Sequence, residues 1–270
     1  MSSLPSLGFG GRLARPPGWE RIVACLCALT RAFDALVFPW SCPMCGAEGS
    51  GSPFCSSCRQ GILEQSARTA MSSCPRCALP VGPFADLRGG CAACRDRSLG
   101  FDSAIALGPY DGALRDLCLR LKHEQNAWLA PRLSDLLVEA RHDAISQLPS
   151  DVWIVPVPLH WSRRWQRGYN QAEALASGLA RRLGLPVRHR LRRVTATERL
   201  AHKGRTERAD IMHGAFRARA GGKLTGRTVL LVDDVLTTGA TCSAAARALK
   251  KAGAARVIVV VIARAERKTL

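Results

Sequence analysis

Apolar residues recur every three to four positions over two long segments of the chain, and this spacing predicts helices. Leu114–Ala144 carries the first pattern, with a break expected near Pro131 that divides it into two helices. Asn170–Leu183 carries the second, which ends at Gly184. A further helix is predicted for Ala240–Ala252, again before a glycine.

Three short, continuous apolar runs predict buried strands, at Trp153–Val157, Val229–Val232 and Val257–Ile262. Strands that alternate with helices are typical of an α/β fold, in which a largely parallel sheet is flanked by helices. We therefore predict one such domain over residues 101–270. Anionic ligands in folds of this kind bind beyond the carboxyl ends of the strands.

Residues 1–40 begin with a glycine- and proline-rich stretch, for which we predict a flexible start. An amphipathic helix is predicted over Trp19–Phe38, ending at Pro39. Its apolar run Ile22–Leu29 is far shorter than the roughly 18 residues that span a bilayer. No clear cleavage site of a secretory signal follows it, so we predict a cytoplasmic protein without a membrane span.

Residues 41–100 are rich in cysteine, glycine, proline and serine and carry few periodic apolar positions, so metal binding is expected to replace a conventional core. Eight of the 12 cysteines form four C-x-x-C pairs. At this spacing, two thiolates from one turn reach a single tetrahedral metal ion. The predicted ligands are Cys42, Cys45, Cys55, Cys58, Cys74, Cys77, Cys91 and Cys94.

This pattern predicts a small double zinc ribbon with two structural zinc ions. A single C-x-x-C pair is also compatible with redox activity, but four pairs so close together favour structural metal. Whether each ion takes neighbouring pairs or interleaved pairs is left open by the spacing. Cys25, Cys27, Cys118 and Cys242 lie in apolar helical or post-loop segments and are expected to be buried free thiols.

The chain is strongly basic, with a formal net charge of +18 over 270 residues. Residues 161–220 alone hold 15 lysines and arginines against 4 acidic residues. Such an excess indicates an anionic partner: phosphate, nucleic acid or an acidic membrane surface. With 47% hydrophobic and 22% charged residues, the composition excludes collagen, coiled coil and extended disorder.

The segment Val229–Thr241 carries the most specific chemistry. An apolar run leads into Asp233 and Asp234, and a turn rich in hydroxyl groups then opens a helix. Backbone N–H groups at such a turn cradle an anion, and Gly239 lets a phosphate approach the backbone closely. Carboxylates beside the cradle accept hydrogen bonds from sugar hydroxyls or hold Mg²⁺. Together these groups describe a 5-phosphoribosyl site.

These 13 residues match the signature for phosphoribosyl pyrophosphate (PRPP) of type I phosphoribosyltransferases, position for position. The wider chain resembles the ComF/GntX family, in which zinc-binding C-x-x-C pairs precede such a domain. The resemblance covers about Phe38–Arg264. Besides the cysteine pairs and the signature, it rests on Leu119–His123, Val155–His160, Arg167–Gln171 and Gly214–Phe216.

The resemblance implies a type I phosphoribosyltransferase-like domain that binds PRPP with Mg²⁺. It implies a pyrophosphate site at Val157–Arg167 and a closing loop at Thr195–His213. The implied PRPP-binding residues are Asp233, Asp234, Thr237, Thr238, Gly239, Ala240 and Thr241. The implied pyrophosphate and loop residues are Arg163, Arg164, Arg167, Lys203, Arg205 and Arg208.

The chain departs from purine-salvage relatives at Thr237, where they carry an aspartate that accepts the proton of the base. No catalytic residue is therefore assigned, and both transfer and simple binding of the phosphoribosyl group remain open. The sequence sets no oligomeric state.

Resemblance to competence proteins suggests an alternative, a non-catalytic factor that binds single-stranded DNA during DNA uptake. Trp161, Trp165 and Tyr169 alternate with arginines, as in surfaces on which bases stack. The interpretation we favour is that these aromatic residues pack on the core while the arginines face pyrophosphate or solvent.

Overall fold

The computed structural model of the protein describes residues 41–48, 53–159, 165, 168–194, 214–219 and 224–266. The chain divides into two compact units, residues 1–54 and residues 55–270. No helix within the described ranges is long and apolar enough to cross a bilayer. The helix predicted over Trp19–Phe38 lies outside the described residues.

The larger unit contains helices on a parallel sheet. The described strands are β1 (Ser103–Pro109), β2 (Trp153–Pro156), β3 (Leu191–Arg193), β4 (Phe216–Ala218), β5 (Thr228–Leu236) and β6 (Arg256–Arg264). The described helices are α1 (Ser56–Met71), α2 (Gly112–Arg120), α3 (Leu129–Ala140), α4 (His142–Ser146), α5 (Gln171–Leu183) and α6 (Ala240–Lys251), with a 3-10 turn at Glu124–Asn126.

Four of the strands form one sheet in the order β1-β6-β5-β2. All three pairings are parallel, which confirms the predicted fold class. The central strands β5 and β6 are buried through most of their length, because helices cover both faces of the sheet. The short strands β3 and β4 form a separate antiparallel pair.

Side chains on β5 alternate between the two faces of the sheet. Val229 and Leu231 belong to the hydrophobic cluster that includes Ala245 and Leu249 of α6. Because successive residues in a strand point to opposite faces, Asp233 lies on the side of α6 and Asp234 on the other side. Neighbours in sequence therefore have different surroundings at the end of this strand.

The predicted strands are confirmed, and two of them extend further than their apolar runs. The run at Val229–Val232 continues to Leu236, so Asp233 and Asp234 are part of β5 rather than of the loop after it. The run at Val257–Ile262 continues to Arg264 in β6. In both strands, pairing with neighbours carries the extended backbone past the point where the apolar pattern stops.

The helix boundaries follow local chemistry. Asn170 caps α5, since its side-chain oxygen accepts a hydrogen bond from the Ala172 N–H at 3.1 Å, and Gly184 ends the helix with a φ of 67°. The two helices expected within Leu114–Ala144 are present, but the position of the break is wrong. Pro131 lies in the first turn of α3, where proline replaces an N–H that has no helical partner.

The apolar pattern did not indicate α1, β1 or the β3–β4 pair. Helix α1 buries only Ile62 and Ser66, so its sequence shows no apolar stripe. Polar contacts attach it to the sheet instead. The Ser66 hydroxyl donates to the Leu107 carbonyl at 2.5 Å, and the buried Arg141 donates to the Ser66 carbonyl at 2.8 Å.

Candidate phosphate-binding site and zinc centre

The carboxyl end of β5 places the two predicted acidic residues beside the start of α6. Hydrogen bonds to β6 on one side and to β2 on the other hold this strand. The Asp233 carboxylate accepts from the Asp234 N–H at 3.0 Å, and the Asp234 carboxylate accepts from the Val235 N–H at 2.8 Å. Each side chain thus takes a local backbone donor and keeps further oxygen lone pairs for a ligand.

The two carboxylates have different neighbours. The Cys242 thiol on α6 lies 3.7 Å from an Asp233 oxygen. On α2, burial raises the pKa of the Cys118 thiol to about 12, the Asp234 charge raises it further and the Lys122 charge lowers it. Cys118 and Cys242 are both buried, as expected.

Burial raises the pKa of Asp233 well above its ordinary value, and the neighbouring negative charge of Asp234 raises it further. Hydrogen bonds from the Asp234 N–H and the Cys242 thiol act in the opposite direction but do not offset these effects. Such a carboxyl group is poised to release its proton when a cation or a hydroxyl donor approaches.

The loop Thr237–Thr241 makes a sharp turn between β5 and α6. Gly239 has a φ of 77° and is the residue before the first turn of the helix. A Cβ atom at this position would lie 3.6 Å from the ring of Phe101. The left-handed backbone therefore requires glycine here, and the ring of Phe101 supports it from one side.

One loop donor is engaged within the loop itself. The Thr238 hydroxyl accepts a hydrogen bond from the Ala240 N–H at 3.3 Å. Within the described part of the chain, no side chain accepts from the N–H groups of Thr241 or Cys242, which open the helix. The exposed side chains of Thr237 and Thr238 border these N–H groups, so the turn has the donors that an anion cradle needs.

Four cysteines of the ribbon form a compact group at Cys74, Cys77, Cys91 and Cys94. The Cys74–Cys94 and Cys77–Cys91 sulfur pairs are each separated by 3.7 Å, and Cys91 and Cys94 by 3.8 Å. A tetrahedral zinc ion with Zn–S bonds of about 2.3 Å requires sulfur separations of about 3.8 Å. The group therefore fits structural zinc, which would take all four thiolates.

Electrostatic repulsion among these four thiolates also favours a bound cation. Burial raises the pKa of Cys77, and the neighbouring sulfurs of Cys74 and Cys91 raise it further. All four thiols can ionise together only when a positive ion offsets their mutual repulsion. The sequence left the pairing of the cysteines open, and in this group the neighbouring pairs combine.

Two turns of the cysteine region have the same backbone hydrogen bond. In one turn, the Cys42 carbonyl accepts from the Gly46 N–H at 2.8 Å, and in another the Cys74 carbonyl accepts from the Ala78 N–H at 2.8 Å. Both closing residues have positive φ, 74° at Gly46 and 54° at Ala78. At α1, the Cys55 sulfur accepts from the Cys58 N–H at 3.4 Å.

The pyrophosphate and loop candidates lie outside the described residues: Arg163, Arg164, Arg167, Lys203, Arg205 and Arg208. Trp161 also lies outside them. Trp165 is described and is 89% exposed, so the expectation that it packs on the core is wrong.

The sequence analysis missed two arginines that reach the loop. The buried Arg264 at the end of β6 donates to the Thr237 carbonyl at 2.6 Å, and Arg97 donates to the Thr238 carbonyl at 2.8 Å. Nothing in the local sequence indicated these contacts, which cross 27 and 141 positions of the chain. For Arg264, the one available signal was a charged residue at the end of an otherwise apolar strand.

Comparison with known proteins agrees with this geometry. The phosphoribosyl transferase domain family matches residues 170–270, which include β5, the loop and α6. Competence protein F of Haemophilus influenzae is 32% identical over 215 residues, covering 78% of this chain and 90% of the relative. The chain belongs to the ComF family.

Other relatives carry related names. DNA utilization protein YhgH of Salmonella typhimurium is 34% identical over 211 residues, covering 76% of this chain and 87% of the relative. Competence protein ComFC of Bacillus subtilis is 37% identical over 102 residues, covering 38% of this chain and 40% of the relative. The suspected ComF membership and the phosphoribosyltransferase-type fold are thus both confirmed.

We predict that Asp233→Asn stabilises the protein at neutral pH. Because the folded state raises the pKa of Asp233, stability is fully present below the ordinary carboxyl pKa of about 4 and is lost as pH rises through the raised pKa. Asparagine removes that loss. The melting temperature of the variant should exceed that of the wild type by a margin that grows as pH rises above the ordinary carboxyl pKa of about 4.

Asp143→Asn is the matched control, because the Asp143 side chain is fully exposed. Both variants retain the zinc ligands, so differences from the wild type isolate the carboxyl group. A margin for Asp233→Asn that stays flat with pH, like that of the control, would contradict the assignment of a raised pKa.

Proposed function

We propose that the protein binds a 5-phosphoribosyl donor, PRPP or another ribose 5-phosphate, at the carboxyl end of β5. One observation carries the proposal: Asp233, Asp234 and the Thr237–Thr241 turn occupy adjacent positions at a strand end within the matched family domain. The 5′-phosphate lies against the backbone N–H groups of the turn. The threonine hydroxyls donate additional hydrogen bonds to its oxygens.

The two acidic residues bind different parts of the ligand in this proposal. Their side chains emerge on opposite faces of β5, and both are partly exposed. Asp234 accepts hydrogen bonds from the sugar hydroxyls. Asp233 has a raised pKa and becomes ionised as the ligand or its metal ion approaches.

Carboxylate oxygens are the ligand type that Mg²⁺ prefers, so Asp233 and Asp234 fit this cation. When bound, Mg²⁺ neutralises charge on the pyrophosphate. The chain's own contribution is position, since β5 holds both carboxylates and the turn at fixed separation.

In a transfer reaction, the bond from the anomeric carbon to pyrophosphate breaks and a bond to an acceptor forms. Thr237 offers no carboxylate to accept a proton from that acceptor. Either the acceptor reacts through a lone pair and does not need Thr237 to remove a proton, or the protein binds the donor without turnover. Release of pyrophosphate across bases, amines and oligonucleotides separates these two cases.

We predict that PRPP with Mg²⁺, at about 100 times its dissociation constant, raises the melting temperature by about 5–10 °C through preferential binding to the folded state. Asp233→Ala combined with Asp234→Ala should abolish this shift. Asp143→Ala, which removes a fully exposed carboxylate, should leave it unchanged. A full ligand-induced shift in the double variant would refute the roles given to the two acids.

We also propose that Cys42, Cys45, Cys55 and Cys58 bind a second zinc ion. The turn at Cys42 repeats the backbone hydrogen bond of the turn at Cys74. A sulfur in each set also accepts a backbone hydrogen bond at 3.4 Å, Cys55 from the Cys58 N–H and Cys74 from the Cys91 N–H. A protein that keeps eight thiolates for metal requires a reducing compartment, which supports a cytoplasmic location.

Metal analysis of the full-length protein should find about two zinc ions per chain, because each set of four thiolates saturates one tetrahedral ion. Cys55→Ser combined with Cys58→Ser should leave about one, since the remaining pair cannot hold zinc tightly. Cys118→Ser, which changes a buried thiol outside both sets, should leave two. Retention of two ions by the double variant would contradict the second site.

A second function, binding of single-stranded DNA, is favoured by the β3–β4 pair. Arg192 and Arg217 are exposed and lie directly opposite each other in its register. Like charges at facing positions repel, so this arrangement is costly unless an anion covers it. Arg217 also lines a groove with Arg247 and Lys251 of α6, and Trp165 is exposed for base stacking.

For this function, Arg192→Ala combined with Arg217→Ala should weaken binding of a single-stranded oligonucleotide. The negative slope of log affinity against log salt concentration should become shallower by about 1.4, the value for two phosphate contacts. Arg181→Ala with Arg182→Ala removes the same charge from the exposed end of α5 and serves as the control. Equal salt slopes for the two double variants, measured by fluorescence anisotropy, would exclude this surface.

A further inference from the structure

The zinc group at Cys74–Cys94 and the phosphate loop are connected by direct hydrogen bonds. Arg264 is 7% exposed and lies between them at the end of β6. Its Nε donates to the Cys77 carbonyl at 2.8 Å. One of its terminal nitrogens donates to the Leu236 carbonyl at 2.9 Å and to the Thr237 carbonyl at 2.6 Å. A single guanidinium group thus joins a zinc-binding turn to the loop.

A second connection runs from the other zinc-binding turn. Arg76, next to Cys77, donates to the carbonyls of Cys94 at 2.7 Å and Arg97 at 2.9 Å, so it holds the two turns together. Arg97 in turn donates to the Thr238 carbonyl at 2.8 Å. The path from the zinc ligands to the loop therefore contains only backbone carbonyls and arginine side chains.

The chain immediately after the ribbon packs on the same loop. A Cβ atom at Gly100 would lie 2.2 Å from the Ser243 carbonyl in the first turn of α6, so the two backbones are in close contact. Phe101 follows and supports Gly239. Arg247 of α6 also donates to the Ser98 carbonyl at 3.3 Å. The ribbon and the start of α6 therefore form one packed assembly.

These contacts have a consequence for the N–H groups of the loop. In a planar trans peptide, the carbonyl and the N–H of the next residue point in opposite directions. Holding the carbonyls of Leu236, Thr237 and Thr238 on the ribbon side directs the N–H groups of Thr237, Thr238 and Gly239 away from it. Those are the donors that a phosphate cradle requires.

We propose that the Cys74–Cys94 zinc centre positions the phosphate-binding loop, with Arg264 and Arg97 as the positioning residues. The proposal rests on the proposed function, because the ligand is the phosphate of that site. Zinc holds the two turns, the turns hold the arginines, and the arginines set the orientation of the Thr237 and Thr238 carbonyls. Phosphate affinity and zinc occupancy are therefore linked, each favouring the other.

The affected step is binding, and no group on this path touches the reacting atoms. Two guanidinium charges behind the loop also add positive potential at the cradle, which favours a dianionic phosphate. Loss of zinc, by chelation or by oxidation of the thiols, frees the Thr237 and Thr238 carbonyls and lets their peptides rotate, while the Leu236 carbonyl still accepts from the Ala265 N–H at 3.0 Å. The ribbon then controls ligand binding without contributing a ligand contact of its own.

The test uses the full-length, zinc-loaded protein and two measurements. Calorimetry gives the dissociation constant for ribose 5-phosphate, and hydrogen exchange gives deuterium uptake over residues 236–243. That segment includes the Ser243 N–H, which donates to the Gly239 carbonyl at 2.8 Å. We expect Arg97→Ala to weaken binding about tenfold and to raise uptake in this segment, while uptake over β1 stays unchanged.

Three comparisons separate positioning from a general structural effect. Arg97→Lys keeps one charged donor and should restore most of the affinity. Arg88→Ala removes a ribbon arginine whose side chain is 94% exposed and pairs with Asp86, and it should behave as the wild type. Removing zinc from the wild type with a chelator should weaken ribose 5-phosphate binding and raise deuterium uptake over 236–243. In Arg97→Ala, the same treatment should weaken binding by a smaller factor, because zinc and Arg97 act through the same hydrogen bonds.

The outcomes distinguish this inference from the proposed function. If zinc removal or Arg97→Ala lowers the melting temperature but leaves both affinity and uptake over 236–243 unchanged, the positioning role is wrong. If the wild type binds neither ribose 5-phosphate nor PRPP with Mg²⁺, the proposed function fails. In that case, deuterium uptake over residues 236–243 decides whether zinc orders the loop. Uptake that stays unchanged when zinc is removed would overturn the inference.

Discussion

The candidate site depends on one constraint: a loop that binds phosphate through its backbone must keep several N–H groups turned towards one point. Free peptides rotate, and water competes for their donors. Here the loop begins at β5, which is hydrogen-bonded on both sides, and ends at the first turn of α6. Gly239 takes the left-handed conformation between them, and arginines hold the carbonyls behind it.

The zinc group is part of that arrangement. A ribbon with few apolar residues has little stability of its own, so metal coordination supplies the energy that burial supplies elsewhere. The sulfur separations fit one tetrahedral ion, and the backbone around the ligands is repeated in another turn of the chain. Because the ribbon packs on α6 and forms hydrogen bonds with the loop, an ordered ribbon holds the loop in place at the site.

The acidic pair shows how a strand distinguishes two neighbours of the same type. Asp233 lies on the side of α6 beside the buried Cys242 thiol, while the Asp234 side chain leaves β5 on the opposite face. Their different surroundings suit different roles towards one ligand. Thr237 adds no third carboxylate, which is why binding and transfer are separate questions for this member of the ComF family.

The sequence by itself determined the parts of the protein that depend on local pattern. Apolar runs predicted β2, β5 and β6, glycines marked the ends of α5 and α6, and C-x-x-C spacing identified the cysteines of the zinc group. The motif after β5 identified the family. Each of these signals lies within a few residues, where spacing and backbone preference decide the outcome.

Only the tertiary structure decided which distant groups meet. It placed Arg264 between Cys77 and Thr237 and brought Arg97 to Thr238. It also separated the surroundings of Asp233 and Asp234, and it attached α1 to the sheet through polar contacts. Long-range hydrogen bonds and burial leave no periodic trace in a sequence, because they depend on strand order and helix packing rather than on neighbours along the chain.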